Sequence, residues 1–199
     1  MTVAFVLGNG TSRRHIELTD LKSYGTVYGC NAIYRDFNPD YLIAVDSKMI
    51  VEINREQYQN CTPVWTNYNK MYINFTGFNY FKQSKGWSSG PTALWLASEH
   101  DHDTVYILGF DYQGIGESNE LVNNLYAGSE NYKKIDDKAT YYGNWLKQTV
   151  LTIKKNPEKR YIRVLGDEKF IPKDFLNLSN LTHMTVEEFN INFKNNYEI

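Results

Sequence analysis

Short apolar runs alternate along the chain with stretches whose apolar residues recur at helical spacing. The predicted strands lie at residues 3–7, 25–30, 41–45, 63–65, 104–110 and 160–165. The first of them is apolar on both faces and contains β-branched residues, which is typical of a buried parallel strand. The predicted helices run from residue 11 or 12 to 21 and over residues 47–58, 92–99 and 141–155. This alternation predicts an α/β fold, a single Rossmann-like domain whose mostly parallel sheet is flanked by helices.

Three longer stretches do not follow this pattern. Residues 67–85 are rich in Tyr, Phe and Asn, and they predict either an edge strand at residues 71–75 or a loop that covers a site. Residues 113–140 are polar and contain several glycines, which predicts a lid or a small subdomain. The strand near residue 160 is expected to be the last one. After it, we expect a peripheral tail over residues 169–199, with a helix over residues 186–193.

Length and composition place the chain among globular proteins. Its 199 residues fit one domain, residues 1–199, and are enough to bury a sizeable core. With 42% hydrophobic and 22% charged residues, disorder is not expected. A formal net charge of -2 gives no support for a protein that wraps nucleic acid electrostatically, although a local basic groove stays open.

The sequence carries no feature that predicts a membrane-spanning or secreted protein. No apolar run has the length of a transmembrane helix, and the chain begins in a core strand rather than in a basic leader with a cleavage site. Cys30 and Cys61 are too few and too far apart for a disulfide framework or a zinc site. We therefore expect a cytoplasmic protein without a membrane span. The aromatic residues between 67 and 81 would be buried if the protein forms a homo-oligomer.

Polar residues follow four of the predicted strands at the point where each strand ends. They are Asn9, Asn31, Asp46 and Asp111. In an open α/β sheet, ligands bind outside the carboxyl ends of the strands, so these four side chains are candidates for a shared crevice. Ordinary turn chemistry would also place Asn and Asp at such positions.

Two of the predicted helices begin after glycine and hydroxyl residues. Residues 8–12 are Gly-Asn-Gly-Thr-Ser, and residues 86–91 are Gly-Trp-Ser-Ser-Gly-Pro. Glycine allows a sharp turn and a close approach of the backbone, and a helix N-terminus presents free N–H groups, which suits phosphate. The first motif lacks the third glycine of a dinucleotide fingerprint and is not a Walker A loop, so a plain strand-to-helix turn explains it as well. A nucleotide is nevertheless the first ligand to consider.

Four short stretches carry the most recognisable motifs of the chain. They are Phe5-Val-Leu-Gly-Asn-Gly-Thr-Ser12, Gly29-Cys-Asn31 with Tyr34, Trp87-Ser-Ser-Gly90 and Tyr106-Ile-Leu-Gly-Phe-Asp-Tyr112. In this order they resemble the bacterial sialyltransferases of glycosyltransferase family 42, which have a strand with Gly-Asn-Gly-Pro-Ser, a Cys-Asn motif, a Thr-Ser-Gly turn and a strand ending in Gly-x-Asp-Phe. The resemblance covers roughly residues 3–155, with gaps. These enzymes transfer sialic acid from its CMP derivative to a sugar hydroxyl.

The resemblance implies a nucleotide site and a donor substrate. The implied contacts are Asn9, Gly10 and Asn31 for the nucleotide, Ser88, Ser89 and Gly90 for ribose and phosphate, and Asp111 with Tyr112 around the base and ribose. The donor would be a nucleotide sugar of the CMP-sugar type, and no further cofactor is required. Most of these positions are also strand ends or helix starts in the hydrophobic pattern.

The chain departs from the family at the position of the catalytic base. In the family, a histidine after a Tyr-x-Gly stretch is proposed to take the proton from the acceptor hydroxyl, whereas the corresponding run here ends in Asn144. An amide has no titrating group near neutral pH and cannot act as a base. A carboxylate would then have to serve; Asp46 and Asp111 at strand ends are the best candidates, and Glu117 in the lid is a weaker one. Tyr141 or Tyr142 would be a partial counterpart of the family's tyrosines, which stabilise the leaving phosphate.

The sequence therefore predicts a glycosyltransferase-like enzyme that moves a sugar from a nucleotide to a hydroxyl acceptor. The acceptor stays open among a glycan, a small molecule and a modified nucleic-acid base. Two other functions remain: a nucleotide-binding protein that sequesters or senses its ligand without transfer, and a diphosphokinase on the same frame, which would need a divalent metal and ATP. The transferase interpretation requires no metal. The ligand-type cluster His100-Asp-His-Asp103 is far along the chain from the crevice and is expected to be a solvated turn.

Overall fold

The computed structural model describes residues 1–193 of the chain, and these residues are built around one eight-stranded sheet. Its strands are β1 (Val3–Leu7), β2 (Thr26–Cys30), β3 (Tyr41–Ile43), β4 (Val64–Asn67), β5 (Phe78–Phe81), β6 (Thr104–Leu108), β7 (Arg160–Leu165) and β8 (Leu181–Thr185). The order across the sheet is β5-β4-β3-β2-β1-β6-β7-β8, and every neighbouring pair is parallel. The predicted α/β fold with a parallel sheet is confirmed.

Helices cover both faces of this sheet. In the described part of the chain they are α1 (Leu21–Tyr24), α2 (Ser47–Arg55), α3 (Ser89–Glu99), α4 (Gly143–Lys155) and α5 (Val186–Phe193). Because side chains alternate along a strand, Phe5 and Leu7 pack with α1, α2 and α5 on one face, and Ala4 and Val6 pack with α3 and α4 on the other. None of these helices is both long and apolar enough to cross a membrane.

The direction in which strands are added reverses beside β1. The chain builds β1 to β5 outward on one side and then returns through α3 to place β6 on the other side of β1. The register pairs Leu7 with Leu108, so the two strands end together. The next helix after β1 lies on one face of the sheet and the next helix after β6 lies on the other. A crevice opens at such a switch point, at the carboxyl ends of the strands.

The continuous helix predicted from residue 11 or 12 to residue 21 is wrong. The segment forms a 3₁₀ turn, Thr11–His15, followed by the short helix α1. Between them, Ile16 has extended backbone angles, with φ -100° and ψ 123°, and its side chain is buried in the core. Burial of this side chain outweighs the helical spacing of the apolar residues around it.

Both edges of the sheet differ from the prediction. Residues 71–74 form turns, so of the two alternatives for this stretch the edge strand at residues 71–75 is wrong, and the edge strand is β5. At the opposite edge, β7 is not the last strand, because β8 pairs with it. The sequence of β8 is Leu-Thr-His-Met-Thr, and only Leu181 in it is fully buried. An edge strand of this kind produces no apolar run, which is why the hydrophobic pattern does not reveal it.

The end of the described chain is part of the core rather than a peripheral tail. The predicted helix over residues 186–193 is confirmed as α5. Phe189 and Phe193 of α5 pack edge-on against Phe5, with ring centroids 6.1 and 5.0 Å away. Residues 194–199 of the predicted tail lie outside the described residues.

Residues 113–140 form a long excursion between β6 and α4. Its regular pairing consists of isolated antiparallel bridges rather than strands. The excursion crosses the carboxyl end of the sheet, where the N–H of Leu125 donates to the carbonyl of Asn9 at 2.8 Å. It therefore covers the crevice that the strand order creates.

Candidate functional site

The crevice at the carboxyl ends of β1 and β6 holds a cavity, which we call the switch-point cavity. Its volume is about 110 Å³, or about 600 Å³ when its open mouth is included. The residues that line it are Gly8, Asn9, Gly10, Cys30, Asn31, Ser88, Ser89, Gly90, Pro91, Gly109, Phe110, Asp111, Tyr112, Asn123, Asn124, Tyr142 and Trp145. The candidate residues from the sequence therefore come together here, with the exception of Asp46.

Glycines allow the ends of β1 and β6 to approach each other. A Cβ atom on Gly8 would lie 2.5 Å from the carbonyl oxygen of Gly109, and one on Gly10 would lie 2.7 Å from the same backbone oxygen. Both distances are far below van der Waals contact, so only glycine fits at these two positions. The glycine turn after β1 therefore serves close packing between two strand ends.

The backbone N–H groups that follow this turn are already bonded within the protein. The N–H of Thr11 donates to Asn123 Oδ1 at 2.8 Å, and the N–H of Ser12 donates to Asp111 Oδ2 at 3.1 Å. The Ser12 hydroxyl donates to the same carboxylate. The expectation of free phosphate-binding N–H groups at this position is therefore wrong, because two side chains of the protein occupy them.

The N-terminus of α3 faces the switch-point cavity through Ser88, Ser89 and Gly90. Ser88 is the N-cap residue, but its side chain makes no capping hydrogen bond within the described chain. The Ser89 hydroxyl accepts a hydrogen bond from the N–H of Val45 at 3.0 Å, so its own proton can be donated to a ligand. This helix start therefore offers the N–H groups, hydroxyls and positive dipole end that bind an anion.

Two asparagine side chains line the same cavity with unused acceptors. Asn9 is 8% exposed, and its Nδ2 donates to the carbonyl of Cys30 at 3.2 Å and to the hydroxyl of Tyr132 at 3.3 Å. The Oδ1 atoms of Asn9 and Asn31 are buried and have no hydrogen-bond partner among residues 1–193. A buried acceptor without a partner costs about 1–3 kcal/mol. Both atoms are therefore suited to receive an N–H or O–H group of a ligand.

Asp111 stands between two cavities. It lines the switch-point cavity and also a second cavity of about 210 Å³ toward the end of β7. Asn123 belongs to the same dividing wall, and the basic side chains of Arg14 and Lys169 line the second cavity. Its two carboxylate oxygens accept hydrogen bonds from Ser12, and because Asp111 lines both cavities it is a candidate base for a reaction between two bound molecules.

The two tyrosines of the predicted site differ in whether the hydroxyl proton is already used in a hydrogen bond within the protein. Tyr112 is buried with a φ of +58°, and its hydroxyl donates to Thr149 Oγ1 at 2.7 Å. That hydroxyl is therefore already engaged. Tyr142 lies just before α4, and burial raises its pKa, with a smaller contribution from the Asp111 carboxylate. The Tyr142 hydroxyl therefore keeps its proton at neutral pH and can donate it in a hydrogen bond.

Asp46 and Asn144 lie outside the switch-point cavity. The exposed Asp46 caps α2, since its Oδ1 accepts a hydrogen bond from the N–H of Lys48 at 2.9 Å. It follows β3, which is separated from β1 by β2. Asn144 is exposed on the first turn of α4. Glu117, the weaker candidate in the lid, is exposed and does not line the cavity either, so Asp111 is the one of the three candidate carboxylates that lies in the crevice.

Asn123, Asn124 and Trp145 line the cavity but are not among the sequence-based candidates. The two asparagines belong to the excursion over residues 113–140, whose polar composition gives no period that would orient single side chains. Trp145 lies on the first turn of α4, beside polar residues. A large aromatic residue at such a helix start is the feature that could have marked it.

A buried ion pair anchors the excursion over the cavity. Glu52 of α2, 3% exposed, accepts hydrogen bonds of 2.6 Å from Arg35, Tyr34 and Asn131. Arg35 also donates to the hydroxyl of Ser129 at 2.8 Å. Burial by itself would raise the pKa of Glu52, but the hydrogen bonds from its three donors outweigh burial and hold the pKa below its ordinary value. The charged carboxylate therefore ties the excursion to α2.

The histidine cluster lies at the opposite end of the sheet, and the expected solvated turn describes only its exposed aspartates, because both histidines are half-buried. The hydroxyl of the buried Tyr28 contacts His100 Nδ1 at 2.5 Å and His102 Nε2 at 2.8 Å. Lys159 Nζ donates to the carbonyls of both histidines, at 2.8 and 2.9 Å. Within the part of the chain that the structure describes, no group of three or more His, Cys, Asp or Glu side chains is placed to hold a metal ion.

Comparisons of the chain with protein-family models, with curated proteins and with solved structures found no match. The resemblance to glycosyltransferase family 42 therefore rests on the four sequence motifs and stays a hypothesis. The geometry of the switch-point cavity does not depend on that resemblance.

Proposed function

We propose that this protein is a glycosyltransferase-like enzyme that binds a nucleotide sugar of the CMP-sugar type and transfers the sugar to a hydroxyl acceptor. The observation that carries the proposal is that one cavity combines the uncapped N-terminus of α3 with the unused amide oxygens of Asn9 and Asn31. The helix start suits a phosphate, and the amide oxygens suit donors such as the amino group of a base or the hydroxyls of a ribose. A nucleotide presents both kinds of group in one molecule.

In this proposal, the donor's phosphate binds at the start of α3. The hydroxyls of Ser88 and Ser89 and the N–H of Gly90 donate to its oxygens, and the protonated hydroxyl of Tyr142 donates from the other helix start. These donors act most strongly when negative charge develops on the leaving phosphate. They therefore stabilise the transition state more than the bound donor.

The transfer is a direct displacement at the anomeric carbon. Asp111 takes the proton of the acceptor hydroxyl, and the oxygen forms a bond to the anomeric carbon. The bond from that carbon to the phosphate oxygen breaks, and its electron pair leaves with CMP. The second cavity supports this role for Asp111, because it gives an acceptor access to the same carboxylate.

Nucleotide binding is tested by thermal unfolding in the presence of CMP, CDP, UMP, UDP, GDP or ADP. A ligand that binds only the folded state raises the melting temperature, and we expect the rise with the cytidine nucleotides. Ser88→Ala and Asn31→Ala should each weaken the calorimetric affinity for CMP about tenfold, because each removes a hydrogen bond to the ligand. Ser179→Ala, at an exposed position outside the cavity, is the control. No shift with any nucleotide, or an affinity that both cavity substitutions leave unchanged, would contradict the proposal.

A nucleotide-binding protein without transfer activity is the second candidate. Asn144 favours it, because this residue is exposed outside the cavity and supplies no base at the start of α4. The two functions are separated by incubating the protein with CMP-N-acetylneuraminic acid and measuring released CMP by chromatography. Release above the rate in protein-free buffer supports the transferase, because a transferase passes some of its donor sugar to water. Tight binding without release supports the binding protein.

A further inference from the structure

Three of the chain's four tryptophans lie together on a surface that the proposed nucleotide site does not use. Trp65, Trp87 and Trp95 line a groove of about 640 Å³ beside β5, whereas Trp145 lines the switch-point cavity. The groove, called the aromatic groove below, is defined by Trp65, Phe81, Lys82, Lys85, Trp87 and Trp95. Clustered aromatic residues that stay partly exposed mark a surface built to receive a partner.

The rings of the aromatic groove form a packed floor. Phe81 is buried between Trp65 and Trp95, with ring centroids 5.2 and 5.4 Å away. The indole N–H of Trp95 donates to Glu99 Oε1 at 2.8 Å, which fixes the orientation of this ring. The tryptophan rings themselves are only partly buried. Phe81 and Glu99 hold Trp65 and Trp95 in place. The exposed side chain of Lys85 lies over the Trp87 and Trp95 rings, and a flat partner that stacks on these rings displaces it.

The rim of the aromatic groove is basic. Lys85 Nζ lies 4.4 Å from the ring centre of Trp95 and 5.5 Å from that of Trp87. Lys82 is exposed on the same rim, and the ion pairs of the described residues involve neither lysine. Glu99, the acid among the described lining residues, is bonded to Trp95. This bond from a neutral indole leaves the Glu99 carboxylate charged, so the groove holds two lysines against one carboxylate and its net charge is positive.

We propose that the aromatic groove binds a short stretch of single-stranded nucleic acid, with bases stacked on the tryptophan faces and phosphates beside Lys82 and Lys85. Residues 80–87, Tyr-Phe-Lys-Gln-Ser-Lys-Gly-Trp, supply rings and cations from one segment. Every base has a flat face, so stacking of this kind gives affinity that does not depend on base sequence. The site is independent of the proposed transferase function, because its residues do not line the switch-point cavity.

The charge of the whole chain makes this a site in which stacking dominates. With a formal net charge of -2, the protein exerts no long-range attraction on a polyanion, and two lysines supply the phosphate contacts. The logarithm of the binding constant for a single strand falls with the logarithm of salt concentration by about 0.7 for each neutralised phosphate. Two contacts therefore predict a slope of about -1.4. This slope is much smaller in magnitude than that of proteins that bind nucleic acid mainly through charge.

Fluorescence anisotropy with a fluorescein-labelled oligothymidylate tests the proposal on the full chain. Trp87→Ala should weaken the affinity about tenfold or more, because one stacking face is lost, and Trp87→Tyr should restore most of it. Lys85→Gln should weaken binding and make the salt slope shallower by about 0.7. Lys154→Gln removes an exposed lysine at the end of α4 and is the charge-matched control, with no change expected.

Several results would overturn the proposal. These are a lack of oligothymidylate binding at low salt, or binding that Trp87→Ala and Lys85→Gln leave unchanged. Quenching of tryptophan fluorescence by maltohexaose without oligothymidylate binding would assign the groove to a sugar. A dimer in sedimentation that Trp87→Ala dissociates would assign the groove to a second copy of the chain. Thermal unfolding of each variant checks its fold. CMP binding by the same variants shows whether the switch-point cavity is still intact, so that an effect on the aromatic groove is not confused with an effect on the nucleotide site.

Discussion

The two ends of the parallel sheet differ in how far their buried polar side chains bond to one another. At the amino end, the hydroxyl of Tyr28 contacts ring nitrogens of both His100 and His102, so the cluster is bonded to itself. At the carboxyl end, the Oδ1 atoms of Asn9 and Asn31 are buried without a partner in the described chain. The first end pairs its tyrosine hydroxyl with both histidines and leaves one ring nitrogen, His102 Nδ1, without a partner in the described chain, whereas the second leaves two amide oxygens on residues that line a cavity.

This difference indicates which cluster serves stability and which serves a ligand. A buried polar group contributes to stability when it is paired and costs free energy when it is not, and an unpaired group in a native protein calls for an explanation, such as a bound ligand or an ordered water. Substitutions at the amino end should therefore lower the stability of the fold and leave nucleotide binding unchanged. Substitutions at the carboxyl end should change binding or transfer more than stability.

The largest effect is expected from Asp111→Asn at the carboxyl end. The substitution keeps the size of the side chain but removes the base, so the rate of CMP release should fall by a factor of about 10²–10⁴ while CMP affinity changes little. A steady-state assay and a calorimetric titration measure these two quantities separately. The matched control is Asp46→Asn at another strand end, where asparagine caps α2 about as well as aspartate. Equal rates in the two variants would contradict the role of Asp111.

The next effect is expected from Glu52→Gln, which removes the charge that anchors the excursion over the cavity. Arg35 loses its charged partner, and the free energy of unfolding in a urea titration should fall by about 3 kcal/mol. Glu56→Gln acts on an exposed pair with Arg55 and should leave stability unchanged. An equal loss in the two variants would show that the buried pair does not anchor the excursion.

The lowered pKa of Glu52 also predicts how the stability of the fold responds to acid. Hydrogen bonds from its donors hold the pKa of Glu52 in the folded state below its ordinary value of 4.5. The stabilisation is therefore complete above about pH 4.5 and is lost as the pH falls through the lower folded-state pKa. Glu52→Gln should lose less stability than the native chain between about pH 5 and about pH 3.

At the amino end, Tyr28→Phe should lower the free energy of unfolding by about 2 kcal/mol and leave CMP affinity unchanged. The substitution leaves ring nitrogens of His100 and His102 without their partner. The control is Tyr41→Phe, on a ring that stacks on Tyr28 at 5.0 Å. Its hydroxyl does not contact the histidine nitrogens, so a small effect is expected. A loss of CMP affinity in Tyr28→Phe would contradict the claim that the amino end of the sheet affects stability and not nucleotide binding.

The smallest effect is a loss of stability in mild acid, also at the amino end. Burial lowers the pKa of His100 and His102, and Lys159 lowers both further. The unfolded chain therefore takes up protons before the folded one, so stability is complete above about pH 6.5 and falls below it. A proton on His102 Nδ1 would find no acceptor in the described chain. His102→Gln can still bond to Tyr28 but cannot titrate, so stability should depend less on pH between about pH 7 and about pH 5.5, and an unchanged dependence would contradict this account.

The centre of the sheet could be predicted from the sequence because its strands are buried on both faces. β1 and β6 are continuous apolar runs, and glycine and polar residues follow them directly, so the positions of Asn9 and Asp111 at strand ends are readable without a structure. β8 could not be predicted, because an edge strand needs no apolar run. The 3₁₀ turn after β1 could not be predicted either, because a single buried side chain, Ile16, decides it.

Asp46 and Asp111 show the limit of the local pattern most directly. Each is an aspartate that follows a predicted strand, and the sequence around them does not separate their roles. In the fold, β6 is the neighbour of β1 and β3 is not, so Asp111 lies in the crevice while Asp46 caps a helix on the surface. The same applies to the two glycine and hydroxyl turns, of which only the second keeps an uncapped helix start facing the cavity.

By itself, the sequence determined the fold class, most of the strands and helices, and the polar residues that stand at their ends. These follow from burial on one or two faces and from backbone preferences, which act over a few neighbouring residues. Only the tertiary structure decided which strand ends meet, which N–H groups are already bonded and which amide oxygens stay unpaired. The physical reason is that strand order depends on helices packing against both faces of the sheet, between segments about 100 residues apart in the chain.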